Sequence, residues 1–245
     1  MTRRIALSLL AATVPAAAGA PVQPSCRQLL RVESPSWAST AGTLTLWMRD
    51  KSGAPWRQDG PGIPVRLGRN GLRWGRGLHA TPRGTALKKE GDGCSPAGIF
   101  RLDTAFGSMP AAKSGSARWP WRQMTASHAG VDDPRSRFYN RVVDASAVKK
   151  DRTSAEEMMP KSGVYRRGII VQHNWTQLPG AGSCIFLHIR SRSPTAGCTA
   201  MQEKDLLRLL AWLDPTRHPL LGQLPAAEWL SRGAAWGFDG TAKAP

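Results

Sequence analysis

Glycine recurs so often between Arg69 and Ala112 that this stretch favours loops over helices. Its eight glycines are Gly71, Gly75, Gly77, Gly84, Gly91, Gly93, Gly98 and Gly107. A glycine in a helix interior costs roughly 0.5–1 kcal/mol relative to alanine, because glycine loses the most conformational freedom on folding. We therefore predict loops that run over a sheet in this stretch, with the backbone held in unusual geometry.

Residues on both sides of this stretch have the patterns of β-strands. The segment TLTLWMR (43–49) places Leu44, Leu46 and Met48 on one face and Thr43, Thr45 and Trp47 on the other. This period of two indicates a half-buried sheet. Two later segments are rich in β-branched and aromatic residues, which are typical of buried strands. The predicted strands span residues 43–49, 63–67, 165–173 and 183–189, and the first two belong to a β meander over residues 28–67.

One amphipathic helix is predicted, over residues 201–213. Its apolar residues, Leu206, Leu209, Leu210 and Leu213, recur at spacings of three and four. Thr199, followed three residues later by Gln202, predicts a capping box at the start of the helix, and Pro215 would end it. The fold class is therefore mainly β.

Residues 1–20, MTRRIALSLLAATVPAAAGA, have the layout of a secretory signal. Arg3 and Arg4 precede an apolar run that Pro15 interrupts and that is shorter than the ~20 residues of a membrane anchor. We predict an exported protein of the periplasm or cell envelope that begins near Pro21, with no transmembrane segment in the mature chain. The Arg3–Arg4 pair leaves twin-arginine export open as an alternative route.

The chain is strongly basic. Lys and Arg outnumber Asp and Glu by 34 to 17, which gives a formal charge of +17. A basic surface attracts acidic partners. Because exported proteins rarely meet nucleic acid, we predict no nucleic-acid partner and favour an anionic wall or outer surface. The charges are scattered rather than placed along one helix face, so an ordinary solvated surface explains them equally well.

Cys198 and His188 are the residues best suited to chemistry. If Cys198 stands at the start of the predicted helix, the helix dipole and unpaired N–H groups there would stabilise its thiolate. A strand-borne His188, ten residues earlier, could then act as the base of a cysteine acyl-transfer enzyme. If Cys198 stays free, at most one disulfide can form among Cys26, Cys94 and Cys184.

The same residues allow two other interpretations. Cys198 could be a small buried hydrophobe and His188 a core histidine, because such a pair is common by chance. His173, Cys184, His188 and Cys198 could bind zinc, but their spacing matches no known structural zinc site. We therefore predict neither a metal site nor a cofactor.

Three separated segments together resemble the YkuD-like L,D-transpeptidase catalytic domain family, and two more resemble segments of one branch of that family. The resemblance covers residues 44–213, and the first three segments carry its most specific part. The segments are SPTAGCTAM around Cys198, FLHI around His188, EGDGCSPAGIF (90–100), GVDDPRSRFYNRVVD (130–144) and YRRGIIVQHN (165–174).

The resemblance implies a β-sandwich with few helices and a reaction on peptidoglycan stem peptides. Cys198 would attack the amide between diaminopimelate at the third position and D-alanine at the fourth, and an acceptor amine would then resolve the thioester. His188 would be the base, oriented by a backbone carbonyl for which Ile189 is the candidate. The N–H groups of Gly197 and Cys198 would hold the oxyanion, and Thr195 would shape the loop or contact substrate.

The sequence departs from the family's more common motif at two positions. Ala196 stands where that motif has histidine, and Ala200 stands where it has an arginine that contacts a substrate carboxylate. The loop between His188 and Cys198 is also shorter than usual. Arg190 and Arg192 in this loop are candidates to supply the missing positive charge.

The predicted organisation has four parts. They are a signal peptide (1–20), an N-terminal strand or extension (21–43), the catalytic domain (44–213) and a C-terminal tail that packs on the domain (214–245). Two alternatives remain open: an L,D-carboxypeptidase or amidase that uses the same Cys–His site, and a non-catalytic wall-binding module that uses some of the ten tryptophans. The acceptor and the oligomeric state are also open.

Overall fold

The computed structural model describes residues 20–240. The leader predicted over residues 1–20 therefore lies outside the described residues, except for Ala20. No helix between residues 20 and 240 is long and apolar enough to cross a membrane.

Fourteen strands and two α-helices make up the described chain, together with two short 3-10 turns. The strands are β1 (Gln28–Ser34), β2 (Ala41–Met48), β3 (Arg57–Gln58), β4 (Ile63–Arg66), β5 (Leu72–Trp74), β6 (Ser95–Gly107), β7 (Trp121–Gln123), β8 (His128–Val131), β9 (Arg141–Asp144), β10 (Glu156–Glu157), β11 (Arg167–Val171), β12 (Phe186–Ile189), β13 (Thr199–Met201) and β14 (Leu220–Pro225). The helices are α1 (Glu203–Trp212) and α2 (Ala226–Arg232), and the 3-10 turns are Ala111–Lys113 and Pro215–Arg217.

Eight of the strands form a closed circuit. Pairing runs from β1 through β14, β6, β11, β12, β13 and β4 to β2, and β2 pairs again with β1. The β1–β14 and β12–β13 pairs are parallel, and the others in the circuit are antiparallel. The mainly β fold class is confirmed, and the predicted sandwich-like arrangement takes the form of a barrel. A second sheet, of order β10-β8-β9, lies beside it.

Strand β2 shows why a period of two only partly describes burial. Leu44 and Leu46 are fully buried, as the alternation predicts. Trp47, on the opposite face, is also buried, because Phe238 of the C-terminal segment packs edge-on against it with ring centroids 5.1 Å apart. The second half of this strand is therefore covered on both faces.

The glycine-rich stretch contains β5 and also β6, the longest strand in residues 20–240, so the prediction of loops was wrong for these two segments. It has no α-helix, and Gly71, Gly84, Gly91, Gly93 and Gly98 have positive φ, as the expected unusual backbone geometry requires. Strand β6 includes Gly98 and Gly107. A Cβ atom on Gly98, where φ is +135°, would lie 1.8 Å from Cε1 of His79, and a Cβ on Gly107 would lie 2.1 Å from the carbonyl oxygen of Arg166. These glycines allow other groups to approach the strand closely. The frequency of glycine alone does not tell such a strand from a loop.

Helix α1 confirms the predicted amphipathic helix but begins two residues later than expected. It buries Leu206, Leu209 and Leu210 against the barrel. The predicted capping box is wrong, because Thr199 lies in β13 and its hydroxyl donates to Oε1 of Gln223 at 2.6 Å. The N-cap residue is Gln202, whose side chain makes no capping hydrogen bond.

The C-terminal segment contributes an interior strand as well as a helix. Strand β14 lies between β1 and β6, and α2 follows it directly. Helix α2 is only seven residues long and too short to give a clear period, so periodicity predicts α1 alone. Trp229 of α2 is buried, and its indole N–H donates to the carbonyl of Val32 in β1 at 2.9 Å.

Candidate active site

Cys198 stands at the start of a strand rather than at the start of a helix. The residue after it opens β13, which runs parallel to β12, and His188 of β12 is paired with Ala200. Because β13 separates Cys198 from α1, the thiol does not see the positive end of that helix. The predicted activation by a helix dipole is therefore wrong.

The Cys198 thiol lies in an apolar, hydrogen-bonded environment. Its Sγ accepts the N–H of Phe186 at 3.3 Å and donates to the carbonyl of Cys184 at 3.4 Å. Burial, followed by the charge of the nearby Glu156 carboxylate, raises the pKa of Cys198 to about 12, although Phe186, Lys88 and Tyr165 act to lower it. The resting thiol is therefore neutral at neutral pH.

His188 is held in one tautomer. Its Nδ1–H donates to the carbonyl of Ile189 at 2.8 Å, the contact that the family resemblance implies. Nε2 is therefore the basic nitrogen. Burial lowers the pKa of His188 to about 4, against a small opposing effect of the Ile189 carbonyl, so the imidazole is also neutral at neutral pH. The ring of Tyr165 packs edge-on against it, with centroids 5.1 Å apart.

His188 lies in β12 and Cys198 directly precedes β13, the parallel neighbour of β12. The described contacts include no direct hydrogen bond between the imidazole and the thiol. Catalytic hydrogen bonds often tighten only when substrate is bound, so this arrangement is compatible with a base role for His188. In the resting state, both groups are neutral and neither is activated by the other.

Thr195 shapes the loop that leads to the thiol. Its hydroxyl donates to the carbonyl of Cys198 at 2.6 Å and accepts the N–H of Gly197 at 3.2 Å. The hydroxyl of Ser95 donates to the same Cys198 carbonyl at 3.0 Å. Because the Gly197 N–H is already bonded to Thr195, the N–H of Cys198 is the better candidate for holding an oxyanion.

A buried lysine lies beside this loop. Lys88 forms an ion pair with Asp92 at 2.8 Å, and its ammonium group is placed so that a Cβ on Gly197 would lie 3.4 Å from it. The Asp92 carboxylate also accepts the N–H groups of Lys89 and Cys94. Burial would raise the pKa of Asp92, but these hydrogen bonds and the Lys88 charge lower it overall, which keeps Asp92 ionised.

Cys198 lies on the wall of a cavity of about 300 Å³ whose other polar groups carry both signs of charge. Arg69 and Lys88 are its basic lining residues, whereas Arg190 and Arg192, the predicted sources of positive charge, are not among its lining residues. Its acidic lining residues are Glu90, Asp132 and Glu156. A substrate with both ammonium and carboxylate groups would find partners for each.

The carboxylate of Glu90 anchors one side of this cavity. It accepts hydrogen bonds from the hydroxyls of Tyr139 and Ser183. The Tyr139 hydroxyl in turn accepts the N–H of Gly182 at 3.1 Å. This network fixes the loop before β12, and with it the position of the Cys184 carbonyl that faces the thiol.

His173 has a structural role. Its Nδ1 accepts the N–H of Arg76 at 3.2 Å, and its Nε2 donates to the carbonyl of Ala181 at 3.0 Å. Both ring nitrogens are thus used inside the protein. The four cysteines, Cys26, Cys94, Cys184 and Cys198, are all buried free thiols.

Sequence reasoning missed several polar residues around Cys198, although the family-like segments contained some of them. Glu90, Asp92 and Ser95 belong to the segment 90–100, and Tyr165 opens the segment 165–174. Those segments were the available signal. Lys88 and Glu156 lie outside them, and nothing in their local sequence distinguishes them from solvated charges.

One known family matches most of the chain. The family model described as YkuD, the L,D-transpeptidase catalytic domain, matches residues 37–220, which include Cys198 and His188. Comparisons with the curated proteins and with the solved structures found no match for the chain. The matched segment covers well over half of the chain and most of the barrel. The chain therefore belongs to the L,D-transpeptidase catalytic domain family.

Proposed function

We propose that this protein is a peptidoglycan L,D-transpeptidase with Cys198 as its nucleophile and His188 as its base. The observation that carries the proposal is the position of the Cys198 thiol on the wall of a charged cavity, within a segment that matches the transpeptidase domain. Cys198 attacks the diaminopimelate carbonyl of a stem peptide and D-alanine leaves. An acceptor amine then resolves the thioester.

Cys198 and His188 are both neutral before substrate binds, and this determines how the first step proceeds. A thiol whose pKa is raised to about 12 does not ionise in advance, so its proton leaves as the sulfur attacks. Nε2 of His188 accepts this proton and passes it to the departing D-alanine amine. The Cys198 N–H donates to the oxyanion, and the ammonium of Lys88 beside Gly197 stabilises the negative charge.

In the second step, the incoming amine arrives at the thioester and His188 removes its proton. That proton returns to the Cys198 sulfur as the thioester breaks, which restores the neutral thiol. Arg69 and Lys88, which line the cavity, bind a carboxylate of the stem peptide in place of the arginine that Ala200 replaces. Residues 1–20 direct export, and the mature chain begins near Pro21.

The test compares mature wild-type protein with Cys198→Ala, using tetrapeptide muropeptides and D-methionine with mass-spectrometric analysis of the products. We expect D-methionine exchange or muropeptide dimers from the wild type alone. Cys26→Ala is the matched control, because it removes another buried thiol, whose Sγ donates to the carbonyl of Gln28, and it should retain turnover.

Other outcomes would favour the alternatives. Cys198-dependent loss of D-alanine without capture of an amine would identify an L,D-carboxypeptidase or amidase. No Cys198-dependent change would leave a wall-binding module. Export is tested separately: N-terminal sequencing of the secreted protein should begin near Pro21, and an intact Met1 would contradict the leader.

A further inference from the structure

Trp175 differs from the other tryptophans of the chain in its exposure to solvent. All ten tryptophans lie within residues 20–240, and the other nine are buried or half-buried, whereas Trp175 is 59% exposed. One exposed apolar side chain is ordinary on a protein surface. The loop that carries Trp175 and the charges around it therefore decide whether the exposure has a use.

The loop that carries Trp175 is held in place by the side chains of two asparagines. Nδ2 of the buried Asn174 donates to the carbonyls of Leu178 and Gly182 at 3.0 Å and 3.1 Å, and its Oδ1 accepts the N–H of Leu178 at 3.1 Å. Nδ2 of Asn140 donates to the Asn174 carbonyl at 2.9 Å. The indole is thus presented to solvent by an ordered backbone, so little loop entropy is lost when a partner covers it.

Two cavities meet at Trp175, and each is lined by two arginines. Arg76 and Arg101 line a cavity of about 110 Å³, and Arg122 and Arg141 line a cavity of about 200 Å³. None of these arginines forms an ion pair with an acidic side chain of residues 20–240. We refer to Trp175 and these four arginines as the Trp175 platform.

The acidic lining residue of the larger cavity does not neutralise the platform. This residue is Asp103, and its carboxylate accepts the N–H and the hydroxyl of Thr104 at 2.7 Å and 3.1 Å. Arg141 donates to the uncharged side chain of Gln177 at 3.2 Å. Four arginines against one aspartate give the platform a net positive charge beside an exposed aromatic ring, which attracts anionic groups.

The Trp175 platform lies next to the nucleophile. Cys184 and Ile185 line both the larger cavity of the platform and the cavity that contains Cys198. The Cys184 carbonyl also accepts the hydrogen bond of the Cys198 thiol at 3.4 Å. A polymer that places one reacting group at Cys198 therefore has its adjoining units near Trp175.

We propose that the Trp175 platform binds the peptidoglycan polymer beside the reacting stem peptide. A sugar ring of the glycan strand packs its apolar face on the Trp175 indole. Free carboxylates of neighbouring stem peptides pair with the arginines, whose planar guanidinium groups match carboxylate geometry. The proposal rests on the proposed function only for the identity of the polymer.

The experiment measures sedimentation of the protein with insoluble peptidoglycan that has been stripped of attached proteins and polymers. Every protein carries Cys198→Ala, so that the polymer is not consumed during the measurement. The variants are Trp175→Ala and Arg122→Gln. Leu230→Ala is the matched control for the first, because it removes another exposed apolar side chain. Arg83→Gln is the control for the second, because Arg83 is exposed and lines neither cavity.

We expect Trp175→Ala to bind at least about tenfold more weakly than the parent, because truncation removes the aromatic anchor at the centre of the platform. Arg122→Gln should weaken binding by about two- to fivefold at low salt and by less at high salt, since salt screens the attraction that the substitution removes. Leu230→Ala and Arg83→Gln should bind like the parent.

Unchanged binding of Trp175→Ala or of Arg122→Gln, or an equal loss in the matched control, would overturn the proposal. So would binding only to walls that keep their attached anionic polymers, or only to vesicles of phosphatidylglycerol, because either result would assign the platform to another anionic partner. Circular dichroism checks folding, and if Trp175→Ala unfolds, Arg122→Gln against Arg83→Gln decides alone.

Sedimentation needs no turnover, so this test and the test of the transpeptidase can fail separately. Platform-dependent binding by a protein that gives no Cys198-dependent muropeptide products would uphold the platform and refute the transpeptidase. Muropeptide turnover together with full binding of Trp175→Ala would uphold the transpeptidase and refute the platform.

Discussion

The imidazole of His188 is held by the backbone of the next residue, because its Nδ1–H donates to the Ile189 carbonyl at 2.8 Å. This bond presents Nε2 as the only basic nitrogen. We expect His188→Ala to lower the rate of D-alanine release by about 10²-fold or more, since a positioned base is lost. His128→Ala, on the small sheet, is the control and should retain the wild-type rate. Equal rates for wild type and His188→Ala would remove His188 from the mechanism.

Lys88 acts on the thiol through its charge. Lys88→Met should make Cys198 less reactive towards iodoacetamide at neutral pH, because the ammonium group lowers the pKa of the thiol. Lys89→Met is the matched control, because the Lys89 side chain is exposed. The contact of Lys89 with Asp92 is made by its backbone N–H, which the substitution keeps. Loss of the ion pair would also destabilise the fold by up to about 3–5 kcal/mol. Unchanged alkylation in a folded Lys88→Met would contradict the electrostatic role.

Three buried histidines make stability depend on pH. Burial lowers the pKa of His79 and of His188 to about 4 and that of His173 to about 3, from 6.5. Below about pH 6.5 the unfolded chain therefore binds protons that the folded chain does not, so the free energy of unfolding falls as pH falls. Glu156 has the opposite effect on stability, because its pKa is raised from 4.5 to about 7. Its contribution to the free energy of unfolding is fully present below about pH 4.5 and is lost as pH rises through about 7.

Because three histidines oppose one glutamate, we expect the protein to be less stable at about pH 5 than at about pH 7. The urea concentration at the midpoint of unfolding should therefore be lower at about pH 5. His188→Gln, which cannot take up the proton, should show a smaller acid-induced drop than the wild type. A midpoint that stays constant or rises on acidification would show that these histidines do not remain neutral in the folded protein.

The C-terminal helix should contribute strongly to stability. Trp229 is 4% exposed, packs against Gly222 of β14 and bonds to Val32, whereas its neighbour Leu230 is 91% exposed. We expect Trp229→Ala to lower the free energy of unfolding by about 3–5 kcal/mol and Leu230→Ala by no more than about 0.5 kcal/mol. Urea unfolding measures both. Similar values for the two variants would mean that α2 is not anchored to the barrel.

Local patterns predicted the strands and the main helix because burial follows periodicity in regular elements. Leu44 and Leu46 are buried as the alternation requires, and α1 buries its leucine face. The start of that helix was misplaced because Thr199 has the residue type of a cap but bonds to Gln223, 24 positions away. No local pattern contains that contact.

The candidate site was predictable where chemistry depends on short motifs and unpredictable where it depends on distant contacts. Cys198 and His188 are the residues that the sequence predicts for catalysis, and they lie in neighbouring segments, with His188 in β12 and Cys198 directly before β13. The neutral state of the thiol was not anticipated, because it results from burial among residues of several strands. Glu156 reaches the cavity through a two-residue strand of the second sheet, which sequence alone does not reveal.

The position of β14 has a consequence for the order of folding. This strand comes late in the sequence, yet it pairs with both β1 and β6 and joins them in the barrel. Such pairings between distant parts of a chain are slow to form, because the entropy of closing a long loop must be lost first. A nascent chain that has not yet released residues 220–225 therefore has two open strand edges, to which another copy could add.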